Sequence, residues 1–310
     1  MSYELRRDET IGDAVKRIVC HQIEAAISSS GAKRNGKGSP VHATRKHLKK
    51  ARSALRFAAG AIDRNTWKRE DRCLAKVGKL ISEVRDAEVR LQTVRQLREF
   101  TQGRKRSFRQ TEELLAFELD SFLAAFSDWP EEAKKRLTQS LDHIYAWPLD
   151  DLQCKQLRQC VRKTYKRGRN ALKAATRKTS TRNLHTFRKV AKELWYQLRI
   201  LRPLSPAVFG ELNGELKTIG QYLGQVHDLA FVAERLSSFG SVRKHGDRVL
   251  TSLVEAREKE LERTAIALGE RFYAERPRKF ARRISQYFSE WEIAKAHCPA
   301  NGERAVTLAI

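Results

Sequence analysis

A chain of 310 residues with 62 Lys and Arg against 37 Asp and Glu carries a formal net charge of +25 and a pI near 10.2, an excess that repels itself unless a polyanion neutralises it. An apolar fraction of 41% supports a packed core, while only 7 prolines and 16 glycines speak against a sheet protein built on tight turns, and long stretches rich in Ala, Leu, Arg, Lys, Gln and Glu favour an all-α fold. The cysteines Cys20, Cys73, Cys154, Cys160 and Cys298 are scattered without a CxxC pair, and no apolar run approaches the roughly 18 residues of a membrane span. These features exclude a disulfide framework, a zinc site and a spanning helix as expectations, and leave a cytoplasmic protein with no metal or cofactor.

In chain order, apolar periodicity predicts a helix over 10–27, a Ser-, Gly- and Lys-rich loop over 28–40, and helices over 41–62, 67–101 and 105–126. Pro130 opens a short stripe of Leu137, Leu141, Ile144 and Tyr145 that Trp147 and Pro148 close. The scheme then repeats over 152–176, 183–201, 206–239 and 242–268, with Gly240 between the last two. A basic amphipathic segment over 278–291 leads into a loose terminus over 299–310. The expected organisation is two antiparallel four-helix bundles produced by an internal duplication, over 1–146 and 147–275, followed by a C-terminal helix and tail over 276–310.

The duplication is legible in the letters. HATRKHLKKARSALR from His42 and HTFRKVAKELWYQLR from His185 share six of fifteen positions. His42 pairs with His185, Arg45 with Arg188, Lys46 with Lys189, Lys49 with Lys192, Leu55 with Leu198 and Arg56 with Arg199. The next helix matches as well, through Gly78, Val84 and Asp86 against Gly220, Val226 and Asp228. At 100° per residue the cationic positions form one stripe on each motif helix, and Arg52 extends the first. Val41, Leu48, Ala51 and Leu55, and in the second copy Phe187, Ala191, Leu194 and Leu198, lie on the neighbouring face, so the charge borders the core. Glu193 is the one acid in the second motif and the first has none, so the stripes lack the i,i+4 acids that balance a merely solvated basic face. Two such helices supply facing walls for a polyanion.

The paired His-x-x-Arg-Lys helices, each followed by Val84-Arg85-Asp86 or Val226-His227-Asp228, resemble the CHAD family over roughly 8–268. The resemblance implies pseudo-twofold related bundles around a basic central channel or surface that takes up inorganic polyphosphate. It maps binding onto His42, Arg45, Lys46, Lys49 and Arg56, and onto His185, Arg188, Lys189, Lys192 and Arg199. Tyr196 fits an aromatic late in the second motif, where the first has Ser53. Tyr165, Lys166 and Arg169 resemble the family's basic helix before that motif, while the matching segment around Lys16 and Arg17 is a poorer fit. An acidic Glu-x-Glu strand pattern, the mark of an adjoining triphosphate-processing domain, does not occur.

Arg gives paired hydrogen bonds to phosphate oxygens and Lys a mobile charge, and the helix pitch sets a cation about every 5.4 Å, which suits an extended polymer. The histidines are phosphate donors in this reading, protonated beside a polyanion. Phosphoryl transfer calls for metal-holding carboxylates, for which Asp86 and Asp228 are the candidates; their simpler role is to orient an Arg or His, so binding without catalysis is expected. Non-specific nucleic-acid binding is the main alternative, and docking at polyphosphate granules a further one. The segment over 278–291 serves best as a helix covering the bundle.

Overall fold

The structure, a computed structural model, describes residues 2–32, 39–100, 105–238 and 245–296. All regular structure among them is helical: α1 Ile11–Ser30, α2 Pro40–Leu55, α3 Arg64–Leu80, α4 Ser82–Phe100, α5 Lys105–Ala125 and α6 Trp129–Tyr145. The second half supplies α7 Cys154–Arg177, α8 Thr181–Ile200, α9 Pro206–Ser238, α10 His245–Phe272 and α11 Pro277–Ala296. Short 3-10 turns, Arg56–Gly60 and Arg202–Leu204, follow the two motif helices.

Local chemistry sets the starts. The hydroxyls of Thr10, Ser39 and Ser180 accept from Asp13, His42 and Asn183 backbone N–H groups, and the Asp63 carboxylate accepts from those of Asn65 and Thr66, each satisfying donors that a helix leaves open. Pro40 and Pro130 occupy first-turn positions where their missing N–H costs nothing.

Three boundaries in the first half differ from the periodicity, and in the second half α10 runs on to Phe272 and α11 to Ala296. The first helix continues through Ser30, so the expected loop begins later, and residues 33–38 of it lie outside the described residues, as do Gly240 and the 299–310 terminus. The expected 41–62 helix tightens into its 3-10 turn after Leu55. The expected 67–101 helix is two helices, because Ile81 adopts φ −107° and ψ 20°. The Ser82 hydroxyl there donates to the Lys79 carbonyl at 2.7 Å, an alternative to the backbone ladder. The repeat-related positions, Leu223 and Gly224, pass through the middle of α9 without a break.

The same packing recurs in both halves. α1 lies against α2 and α6 as α7 lies against α8 and α11; α4 pairs with α5 as α9 pairs with α10. Against the four helices expected in each half, the first holds six and the second five among the described residues, since α3 and α4 are separate and α6 and α11 return against the first helix of their own half. α11 fills the covering role read from its sequence: Phe280 stacks on Tyr165 with ring centroids 3.9 Å apart. The halves join where α2 meets α8 and α4 meets α9, around one continuous core that includes Leu55, Phe187, Phe209 and Tyr165.

Glycines set the closest approaches in that core, Gly168 among them. A Cβ at Gly168 of α7 would fall 2.4 Å from the Tyr273 hydroxyl oxygen and 2.6 Å from its ring, and Tyr273 is buried. Gly168→Ala is expected to lower unfolding free energy by about 1–3 kcal/mol through overpacking. Gly214→Ala in α9, where nothing lies within 4 Å, should raise it by about 0.5–1 kcal/mol through helix propensity. Denaturant unfolding of both variants checks the contrast; equal effects would contradict the packing.

Candidate polyanion cleft

The meeting of α2 and α8 brings the two cationic stripes together across the repeat boundary. Lys49 of α2 lies within electrostatic reach of Arg45, of Arg188 and Lys192 on α8, and of Arg85 on α4. Lys192 in turn senses Arg188, Arg85 and Lys46, and His42 senses Arg85, Lys46, Lys49 and Lys192. His185 joins through Arg188, Lys189 and Lys49. Two repeat-related grooves open beside this cluster. One, of about 280 Å3, is lined by Arg45, Lys49, Gly78, Lys79 and Ser82. The other, of about 390 Å3, is lined by Arg188, Lys192, Gly220, Gln221 and Gly224 among others. The small residues let long cations lie flat on the following helix. Arg45 donates to the Gly78 carbonyl at 2.6 Å, and a Cβ at Gly224 would stand 3.3 Å from an Arg188 guanidinium nitrogen.

The crowding shows in the proton affinities. Burial first, then the charges of Arg45, Arg188, Lys192 and Arg85, pushes the Lys49 ammonium down to about 7. Water still reaches it, since Lys49 is exposed at the groove mouth, so solvent screens part of that repulsion. Burial and Arg188 lower Lys192 to about 8 against the opposing pull of Asp228. His42 and His227 both fall to about 4, chiefly through burial and then through nearby arginines. Both shifts favour neutral imidazoles in the cleft without a ligand, so the protonated donors expected beside a polyanion require the anion. Burial raises Asp86 and Asp228 above the usual carboxylate range, while Arg45 and Arg188, the largest opposing influences, hold them down. Each acid thus lies within electrostatic reach of the arginine of its own repeat.

Most other residues read as candidates have protein partners. Arg52 forms a two-pronged pair with Asp71 at 2.8 and 2.9 Å. Arg56 pairs with Glu193 at 3.1 Å, the carboxylate that also takes Arg167 at 2.9 Å and the Thr164 hydroxyl at 3.4 Å. Tyr165 is a core residue whose hydroxyl donates to the Phe272 and Glu275 carbonyls, and Arg169 donates to the Tyr273 carbonyl at 3.1 Å. Tyr196 is buried edge-on to Tyr3, with centroids 6.4 Å apart. Arg199 is bracketed by Tyr3 and Trp195, 5.5 and 5.2 Å from the ring centroids. Lys166 is exposed on α7, a helix that meets α8, α10 and α11. The motif similarity does not separate these residues from the cleft because stripe position alone does not tell a partnered cation from an open one. On α1, Arg17 bonds Glu9 and the Ser2 and Glu4 carbonyls, so the poor match there is a structural anchor.

Arg85 and His227 join the cleft without belonging to the His-x-x-Arg-Lys motifs, although they occupy equivalent places in the Val-Arg-Asp and Val-His-Asp elements. That shared position was the available signal. Arg85 recurs among the charges acting on His42, Lys49, Arg188 and Lys192, and it bonds Glu88 at 3.1 Å. His227 lies beside His185, with ring centroids 4.8 Å apart, and its Nδ1 is buried without a partner, as is Arg188 Nε.

A duplicated helical protein with a cationic cleft at its repeat boundary is the class that this fold and site define. The CHAD domain family model matches residues 18–237, and the chain belongs to the CHAD domain family, which is associated in general with polyphosphate binding. The fold is similar to the CHAD domain from the plant Ricinus communis, with a TM-score of 0.65 and 16% identity over 88% of this chain and 95% of that one. It is also similar to PptA from Streptomyces chartreusis, with a TM-score of 0.60 and 12% identity over 86% of this chain and all of that one. At these identities the likeness concerns the fold. No curated protein matches the sequence. Among the described residues, no helix is long and apolar enough to cross a membrane, and Cys20, Cys73, Cys154 and Cys160 are free thiols.

Glu193 ties the turn after α2 to both α7 and α8, so its loss should loosen the repeat boundary. Glu193→Ala is expected to cost about 1–3 kcal/mol, less than a fully buried pair because Arg56 and Arg167 retain solvent. Urea unfolding compared with Arg109→Ala, whose pair with Glu113 is fully at the surface, checks this; equal losses would contradict it.

Proposed function

We propose that the chain binds inorganic polyphosphate without catalysis, in the cleft between α2 and α8. The observation that carries this reading is the convergence of Arg45, Lys49, Arg85, Arg188 and Lys192 from two repeats, in which no carboxylate pairs directly with Lys49 or Lys192 among the described residues. Cations held so close gain most from a ligand that is charged at every repeat and free to slide. Arg45 and Arg188, braced by Asp86 and Asp228, present fixed forks to phosphate oxygens, and the lysines follow the chain as point charges. Asp86 and Asp228 feel the cleft arginines as their largest opposing charges, and among the described residues no group of three or more His, Cys, Asp or Glu could hold a metal ion for phosphoryl transfer. In the cell the protein would gather on polyphosphate granules in the cytoplasm.

Non-specific nucleic-acid binding is the second reading. One observation favours it: His185, His227 and Phe231 form a run of rings, the latter pair with centroids 4.4 Å apart, beside Arg188, and bases stack on such rings. Titration with long-chain polyphosphate, duplex DNA and single-stranded RNA at matched charge decides between them. Tighter binding of polyphosphate is expected, with affinity falling steeply as salt rises. Equal affinities would contradict selectivity, and phosphate release dependent on His42 or His185 would contradict the absence of turnover. Arg45→Glu, Lys49→Glu, Arg188→Glu and Lys192→Glu together should weaken binding by at least a hundredfold in a folded chain.

The pH dependence has a definite sign. A polyanion favours the charged lysines, so binding draws protons onto groups that the free cleft releases at about 7 for Lys49 and about 8 for Lys192. Affinity should be fullest below pH 7 and decline as pH rises through 7 to 9, where the free lysines lose charge. Dissociation constants at pH 6.5 and 9 in constant salt measure this; a flat profile would contradict it.

A further inference from the structure

A second concavity lies on the opposite flank of α3 from the cleft. This groove, of about 690 Å3, runs between α3 and α6 and is lined by Lys68, Arg69, Arg72, Cys73, Lys76 and Arg136, with the amides of Asn65 and Gln139 at its edge. On α3, Ala75, Gly78 and Lys79 face the cleft-side groove, whereas Lys68, Arg72 and Lys76 stand on successive turns of the other side. Those three span about 12 Å at the helical rise, and the volume is that of a small-molecule site.

The charge in this groove is only partly neutralised from within. Arg69 pairs with Glu70 at 2.7 Å, and that buried carboxylate also takes the Ser140 hydroxyl at 2.6 Å and His143 Nδ1 at 3.0 Å. Arg136 pairs with Glu132, and Asp71 is held on the far flank by Arg52. Lys68, Arg72 and Lys76 are left with no acidic partner among the described residues. Nor is the set part of the duplication: with Gly78 laid on Gly220, these three correspond to Gly210, Gly214 and Thr218.

We infer that the α3–α6 groove is a second anion site, independent of the cleft, that takes a compact linear triphosphate group. Arg72 supplies the fork, Lys68 and Lys76 flank it one turn away on either side, and Arg136 with Gln139 closes the groove from α6. Cys73 lies at the floor, its thiol directed to the Arg136 carbonyl at 3.6 Å. An occupant would cover it.

The test uses the full chain carrying Lys49→Glu and Lys192→Glu, which disables the cleft, and the same chain with Arg72→Glu and Lys76→Glu added. Each is titrated calorimetrically with inorganic tripolyphosphate and, separately, with ATP. Tripolyphosphate should bind the cleft-disabled chain, and the groove substitutions should weaken it at least tenfold. Binding of both anions would identify the triphosphate unit as the feature read; binding of tripolyphosphate alone would assign the groove to inorganic chains. In the unsubstituted chain, saturating tripolyphosphate should slow alkylation of Cys73, followed by peptide mass spectrometry. The inference is overturned if neither anion binds the folded cleft-disabled chain, if Arg72→Glu and Lys76→Glu leave binding unchanged, or if Cys73 gains no protection. Long-chain polyphosphate binding by the unsubstituted chain is measured apart, so failure here leaves the cleft untouched.

Discussion

Two helices of like charge are packed against each other, and everything else in the structure accommodates that. α2 and α8 each carry a basic stripe next to an apolar one. Val41, Leu48, Ala51 and Leu55 on α2, and Phe187, Ala191, Leu194 and Leu198 on α8, are all buried. Burying a Leu or Phe side chain contributes about 1.5–3 kcal/mol, so the apolar faces hold together what the charges push apart. Burial first and the neighbouring cations second lower the proton affinities of Lys49 and Lys192, and the repulsive share is the feature that a polyanion relieves.

The boundary is braced by acids placed behind the stripes rather than within them. Asp86 on α4 acts on Arg45, and Asp228 on α9 acts on Arg188, and Glu193 gathers Arg56 and Arg167 on the side facing α7. These carboxylates sort the cations into anchors and open groups. The N-terminal strand of chain adds a further clasp: Tyr3 donates to the Lys50 carbonyl at 3.0 Å and lies under Arg199 and Lys50, while the Leu5 N–H reaches the Ile200 carbonyl at 3.0 Å.

Helix content, the repeat and the meeting of the motif helices were legible in the sequence because each is a local pattern or an internal match. All eight apolar positions assigned to the faces of α2 and α8 lie in the core. The break at Ile81 was not legible, since apolar periodicity runs on across it while a side-chain hydrogen bond from Ser82 ends the helix. Nor was the division between open and partnered cations, because Arg52, Arg56 and Arg169 meet Asp71, Glu193 and the Tyr273 carbonyl, partners 19 or more residues away. Tyr165 read as part of a basic segment is instead a stacking surface for Phe280, a contact made across more than a hundred residues. Arg85 and His227 show the reverse: the repeat held them in equal places, and only the fold showed that both turn toward one cleft.

The duplication has not kept its copies alike. The first half carries the basic α3–α6 groove, where the second has Gly210, Gly214 and Thr218. The central claim, though, concerns the shared boundary, and one lysine reports on it most directly. Carbon-13 NMR of lysine side chains, with Lys49 assigned through Lys49→Arg, gives its titration midpoint in the free chain. The account predicts a midpoint near 7, rising in Arg188→Ala and rising further when long-chain polyphosphate is added. A midpoint at the ordinary lysine value of about 10.4, unmoved by either change, would contradict it.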